Sequence, residues 1–203
     1  NANTVSLIEK LSFKYEYIFL DLQIVGLKLI NEKIIIDEFE KYKNKSIFFI
    51  PLDRISKKIK QNNWVKSVKI SNNYKNKLHV NIIEEQPAGI FITKDQNILF
   101  SKNFKILDFV DKSEKIYNKL IKFEGHNSIM KSNELIELIP KKFQNSIERA
   151  IFVNNRRWNL KLKNNILLKL HEFDINQSIK NYEKIFMKFS NSELSDIKSI
   201  DFR

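Results

Sequence analysis

Apolar and polar residues alternate along residues 18–26, "IFLDLQIVG", which predicts a first strand ending in a turn at Gly26. The spacing then changes. Ile35, Phe39 and Tyr42 stand at i, i+4 and i+7 behind Asn31, the pattern of an amphipathic helix with an asparagine cap. Pro51 stops the apolar run of residues 47–50, and Asp53 is the expected cap of a second helix. Ile55 and Ile59 share its buried face, and Trp64 packs near its end. "VKSVKI" and "KLHVNI" alternate again around "SNNYKN", which predicts two strands and a short loop. The order so far is β-α-α-β-β.

The pattern shifts at Gln86-Pro87, where the residue before proline is held extended, and a domain boundary is expected there. "GIFIT", "NILFS" and "FKILDFV" read as strands. A helix over residues 132–139, capped by Ser132 or Asn133, is limited by Pro140. Strands follow over residues 150–153, 158–162 and 166–170, and Asn164-Asn165 suits the positive dihedral angles of a tight hairpin turn. In the hairpin, Trp158, Leu160, Leu162, Ile166, Leu168 and Leu170 fall on one face, and Asn159, Lys161 and Lys163 on the other. A last helix over residues 175–189 puts Ile175, Ile179, Tyr182, Ile185, Phe186 and Phe189 on one side, and "DIKSIDFR" reads as a closing strand. The fold class is α+β, its second part a mostly antiparallel β domain with flanking helices.

Composition narrows the function. The 203 residues carry a formal charge of +12, and 42% are hydrophobic, enough for one medium or two small domains. Most of the basic residues are lysines scattered over polar faces rather than gathered into a patch. The hairpin combines Arg156, Arg157, Trp158 and Lys161, yet its tryptophan shares the apolar face, whereas base stacking needs aromatics beside the charges. No nucleic-acid partner is expected. No run reaches the roughly 18 apolar residues that would span a bilayer. Asn1-Ala2 reads as an expression remnant, so residues 1–17 are a lead-in and an N-terminal anchor would have been removed.

Little in the chain is suited to catalysis. Cysteine is absent, which excludes disulfides, thiolate metal sites and thiol nucleophiles. His79, His126 and His171 have no metal-ligand spacing, and all three read as structural or solvent-facing. Glu84-Glu85 is an adjacent carboxylate pair, but strand neighbours point to opposite faces, so it reads as a solvated strand end. Three glycines are too few for a phosphate-cradling loop, and no serine sits in a nucleophile-elbow context. No enzyme activity, cofactor, metal or small-molecule substrate is expected.

Gly26, "SIFFIPLDRI", "NNWVKSVKI" and the exit "VNIIEEQPAGI" together resemble the POTRA domain of the FtsQ (DivIB) cell-division family, nearest to its alphaproteobacterial form. "NNRRWNLKLKNNILLKLHEFD", a helix, and then "DIKSIDFR" resemble the family's β domain in content and order. The resemblance divides the chain into a lead-in (1–17), a POTRA domain (18–86) and a β domain (87–203).

It implies a non-catalytic divisome scaffold supporting septum formation. The parent would be a single-pass inner-membrane protein, with this part in the periplasm. Partners implied are FtsB and FtsL, and through them FtsW and FtsI. Docking is expected at the closing strand, on Ile200, Asp201, Phe202 and Arg203, flanked by exposed residues of the helix at 175–189, with Arg203 offering a charge contact. A further strand beyond Arg203, carrying much of the pairing edge, is also implied. Two other functions compete: a POTRA chaperone-like module of outer-membrane protein assembly or secretion, and a basic binder of nucleic acid or anionic lipid.

Overall fold

The computed structural model describes residues 2–73, 75–111, 117, 119–188 and 197–203. Contacts within the chain gather into two compact units, Asn1–Glu85 and Gln86–Arg203.

In the first unit, helix α1 (Ala2–Lys14) precedes strand β1 (Asp21–Val25), helix α2 (Glu32–Glu40), a 3-10 turn (Ile47–Phe49), helix α3 (Leu52–Ile59) and strands β2 (Val65–Asn72) and β3 (Lys77–Glu84). β3 is central, parallel to β1 and antiparallel to β2. Its alternation sorts the faces: Leu78, Val80 and Ile82 are buried with Ile35, Phe39, Ile55 and Ile59 of the helices. The β-α-α-β-β order read from the sequence is the order observed. Asn31 caps α2 as predicted, its side chain accepting the Lys33 N–H. Gly26 adopts φ +95°, and a Cβ there would lie 1.9 Å from the Ile82 carbonyl oxygen, so both conformation and space require glycine.

Three readings of this half are corrected. The alternation of residues 18–26 yields only the five residues of β1, because Phe19 turns into the core while its backbone pairs with Asn44 and Lys45. Asp53 does not cap α3; the helix starts at Leu52 behind Pro51, leaving Asp53 in the first turn, where a negative charge suits the helix dipole. Nor is Glu84-Glu85 a solvated strand end. The Glu84 carboxylate accepts the backbone N–H groups of Lys28, Leu29 and Ile30, and Glu85 is only 6% exposed. Residues 2–14, read as a lead-in, form α1, where Ser12 is buried and its hydroxyl meets that of Ser46 at 2.8 Å.

The second unit contains β4 (Pro87–Ile92), β5 (Asn97–Ser101), β6 (Ile106–Val110), β7 (Lys122–Glu124), α4 (Ser128–Leu138), α5 (Lys141–Gln144), β8 (Ile147–Val153), β9 (Arg157–Leu162), β10 (Leu167–Lys169), α6 (Ile175–Phe186) and β11 (Ser199–Asp201). Among the described residues these strands make one sheet, ordered β11-β10-β9-β8-β7-β4-β5-β6. Four of its pairings are antiparallel; β4–β7, β7–β8 and β10–β11 are parallel. The helical segments α4 with α5 and α6 fall within the β7–β8 and β10–β11 connections, as parallel neighbours require.

The hairpin behaves as its alternation predicts. Trp158, Leu160, Leu162, Ile166, Leu168 and Leu170 are all buried in one core with Phe123, Leu135, Phe152 and Ile179. Asn154 and Asn155 both take positive φ in the three-residue turn between β8 and β9. At the next turn only Asn165 does, where Leu162 and Ile166 close a three-residue loop.

Two helices differ from expectation. The helix predicted over residues 132–139 begins at Ser128, behind Asn127 at φ 59°, and Ser132 is a buried interior residue whose hydroxyl donates to the Ile129 carbonyl. α6 ends at Phe186, which is 44% exposed, its ring centroid 5.8 Å from that of Tyr182. Ser178 takes a buried place instead, its hydroxyl accepting the His171 N–H and donating to the Asp174 carbonyl. Phe189 lies outside the described residues.

Candidate docking edge

β11 is the last strand of the large sheet among the described residues; one of its sides pairs with β10, and the other has no strand partner among those residues. The register places Ser199, Ile200 and Asp201 beside Leu167, Leu168 and Lys169. Leu167 N–H donates to the Lys198 carbonyl at 3.0 Å, and Phe202 N–H to the Lys169 carbonyl at 2.9 Å. Alternate residues of a strand bond to alternate sides, so Lys198, Ile200 and Phe202 use their backbone groups toward β10. Ser199 and Asp201 therefore present theirs outward. Among the described residues these donors and acceptors have no strand partner, and such a row is what an incoming strand needs.

Side chains divide along the same alternation. Ile200 and Phe202 are half-buried and pack against the core, joined by Ile197. They anchor the strand and leave little side-chain surface free. Asp201 faces the other side, 3.6 Å from Lys169 Nζ. Its carboxylate also accepts the Arg203 backbone N–H at 3.1 Å and the guanidinium Nε at 2.7 Å, with Nη2 as a further donor. The Arg203 hydrogen bond holds the Asp201 carboxyl well below the usual carboxylate range, and Asp201 in turn raises Arg203 above its ordinary value. An Asp side chain bonded two residues ahead is a turn former.

The structure thus brings together all four residues singled out by the sequence, in two roles: Ile200 and Phe202 as anchors, Asp201 and Arg203 as a mutual ion pair. Arg203 is already engaged by Asp201, not extended as a lone charge. Ser199 and Lys169 were missed. Their signal lies in pairing, since only knowledge of β10 as neighbour shows that Ser199 points its amide outward and that Lys169 reaches Asp201.

Nearby, α6 borders an apolar groove of about 750 Å³ lined by Phe143, Leu162, Tyr182, Phe186 and Met187, with Asn164 Nδ2 donating to the Tyr182 hydroxyl at 3.3 Å. Burial pushes the Tyr182 hydroxyl pKa up despite that bond. Among the described residues no group of three His, Asp or Glu side chains could hold a metal ion, and no helix is long and apolar enough to cross a membrane.

Comparison with known proteins agrees with this architecture. Residues 21–85 match the POTRA domain, FtsQ-type, and residues 94–203 match the C-terminal domain of cell division protein FtsQ/DivIB. The chain is 27% identical over 206 residues to the cell division protein FtsQ of Rickettsia typhi, covering all of this chain and 74% of that protein. It is 26% identical to the same protein of Rickettsia felis, with 100% and 73% coverage. To the FtsQ of Zymomonas mobilis it is 25% identical over 151 residues, with 74% and 48% coverage. The second domain match alone spans more than half of the 203 residues, and the chain belongs to the FtsQ/DivIB family of bacterial cell-division proteins.

Proposed function

We propose that this protein is a non-catalytic scaffold of the divisome that recruits FtsB- and FtsL-type partners, and indirectly FtsW and FtsI, by strand addition at β11. The observation that carries this reading is the side of β11 without a strand partner among the described residues, where Ser199 and Asp201 turn their backbone groups outward. Main-chain pairing supplies affinity there, and the neighbouring α6 surface with its apolar groove supplies selectivity. The reading places the domain in the periplasm, held to the inner membrane by an N-terminal helix, and makes septum formation depend on protein contacts rather than on chemistry. Its domain frame is a lead-in at 1–17, a POTRA domain at 18–86 and a β domain at 87–203.

Calorimetric titration with the periplasmic segment of an FtsB-type protein tests it, using this chain and a version extended beyond Arg203. Saturable binding by either, lost on Ser199→Pro, supports docking at this edge. Binding that survives Ser199→Pro in both, or no binding by either, overturns it.

A further inference from the structure

The first unit holds an exposed apolar surface that the scaffold reading does not use. In α1, Leu7 is 57% exposed and Phe13 58%, although Ser12 between them is buried against Ser46. The 3-10 turn that follows Ser46 adds Phe48, 54% exposed, whose ring centroid lies 5.5 Å from that of Tyr17. Backbone bonds fix this arrangement: Tyr17 N–H donates to the Ser12 carbonyl, and Ile47 N–H to the Tyr17 carbonyl. Side chains of this size are normally buried, worth roughly 1.5–3 kcal/mol each when covered. Here the backbone holds them outward.

Lysines accompany them. Lys14 Nζ lies 5.5 Å from the ring centre of exposed Tyr15, and Lys41 and Lys45 lie 5.1 and 6.0 Å from that of Tyr42. With Lys10 and Lys43 these make five cations, none in an ion pair among the described residues, against Glu9, Glu16 and Glu40 in the same segments. Aromatic rings with a polar edge and long-stemmed cations are the side chains that partition to the boundary between hydrocarbon and water. A second copy of the chain would bring like charges together here, and a purely apolar partner would leave the lysines uncompensated. An anionic lipid surface satisfies both classes at once.

We infer that the end of α1 and the 3-10 turn form a peripheral docking surface for an anionic bilayer, with Leu7, Leu11 and Phe48 entering the acyl boundary and Lys14, Lys41 and Lys45 meeting headgroup phosphates. The contact is peripheral because no described helix is long and apolar enough to cross a membrane. It lies in the first unit and is independent of docking at β11.

Sedimentation of the full 203-residue chain with lipid vesicles tests the inference. Vesicles of phosphatidylcholine mixed with phosphatidylglycerol should bind about tenfold more tightly than phosphatidylcholine alone, and added salt should release the protein. Leu7→Gln with Leu11→Gln, Phe48→Ser, and Lys14→Glu with Lys45→Glu should each weaken binding while leaving the circular dichroism and Tm unchanged. Phe109→Ser, at an equally exposed aromatic on β6, is the control and should bind normally. Three results would overturn the proposal: no binding to anionic vesicles, binding that the α1 and Phe48 variants leave intact, or equal loss in the Phe109 control. Capture of an apolar, acidic protein segment in place of vesicles would assign the surface to a protein partner and equally end the lipid reading.

Discussion

Both carboxylate oxygens of Glu84 accept the backbone N–H of Leu29, at 3.0 and 3.1 Å. The neighbouring amides of Lys28 and Ile30 donate to the same group, at 2.8 and 3.0 Å, so the end of β3 clamps the loop that leads from β1 to α2. Burial acts to raise the Glu84 pKa, but the three amide bonds and the Lys28 charge outweigh it and leave the value below its ordinary 4.5. A depressed folded pKa contributes stability that is fully present above the unfolded value and is lost as pH falls through the folded one. Glu84→Gln should therefore cost about 1–2 kcal/mol at neutral pH and flatten the acid limb of a stability profile below 4.5, measured by urea unfolding at several pH values. A mutant that unfolds at the same urea concentration as the parent at pH 7 would show the clamp contributes nothing.

Trp158 stacks at 4.6 Å from the Phe152 ring and meets Phe123 edge-on at 5.9 Å. Removing it opens a cavity between three strands, and Trp158→Ala should destabilise the protein by about 3–5 kcal/mol in chemical denaturation. The polar face offers the contrast. Lys163→Ala, on the exposed turn, should stay within about 0.5 kcal/mol of the parent.

Gly26→Ala combines a positive φ with a Cβ 1.9 Å from a backbone oxygen that cannot move without breaking β3. A loss of more than about 2 kcal/mol is expected, with the midpoint of thermal unfolding as the readout. Wild-type stability in this variant would mean that the β1 turn can relocate.

At β11 the two sides of one strand give opposite outcomes. Ser199→Pro deletes an amide that points away from β10, so folding should be nearly unaffected while partner titration is abolished. Ile200→Pro deletes an amide that faces β10 and should lower stability as well. Equal thermal shifts for the two would contradict the assigned register.

Elements made of local alternation were legible in the sequence. The hairpin of β9 and β10, with its six buried residues and its Asn turns, needs nothing beyond period two and the tolerance of asparagine for positive φ. The same holds for Asn31 and the face of α2. What escaped depends on distant partners. Glu84 looks like a solvated end until Lys28 to Ile30 arrive across more than 50 residues. The start of α4 escaped although Asn127 is a capping residue type, and in the structure it sits at φ 59° without a side-chain capping bond. Parallel neighbours such as β4 and β7 leave no mark in either strand. For the edge residues, sequence order named Ile200 to Arg203, but which of their amides faces outward is a property of pairing with β10.

That pairing is parallel, and β11 reaches β10 only by way of α6. A three-residue strand delivered by a crossover is among the last parts of such a sheet to form and the first to detach, since few bonds repay the closure of its loop. Amide exchange at Phe202, bonded to Lys169, should accordingly be faster than at Leu160 in the sheet interior. Temperature, or a weakened α6, would then silence the outer edge by transient release while the remaining strands stay folded, making assembly competence a matter of local rather than global stability.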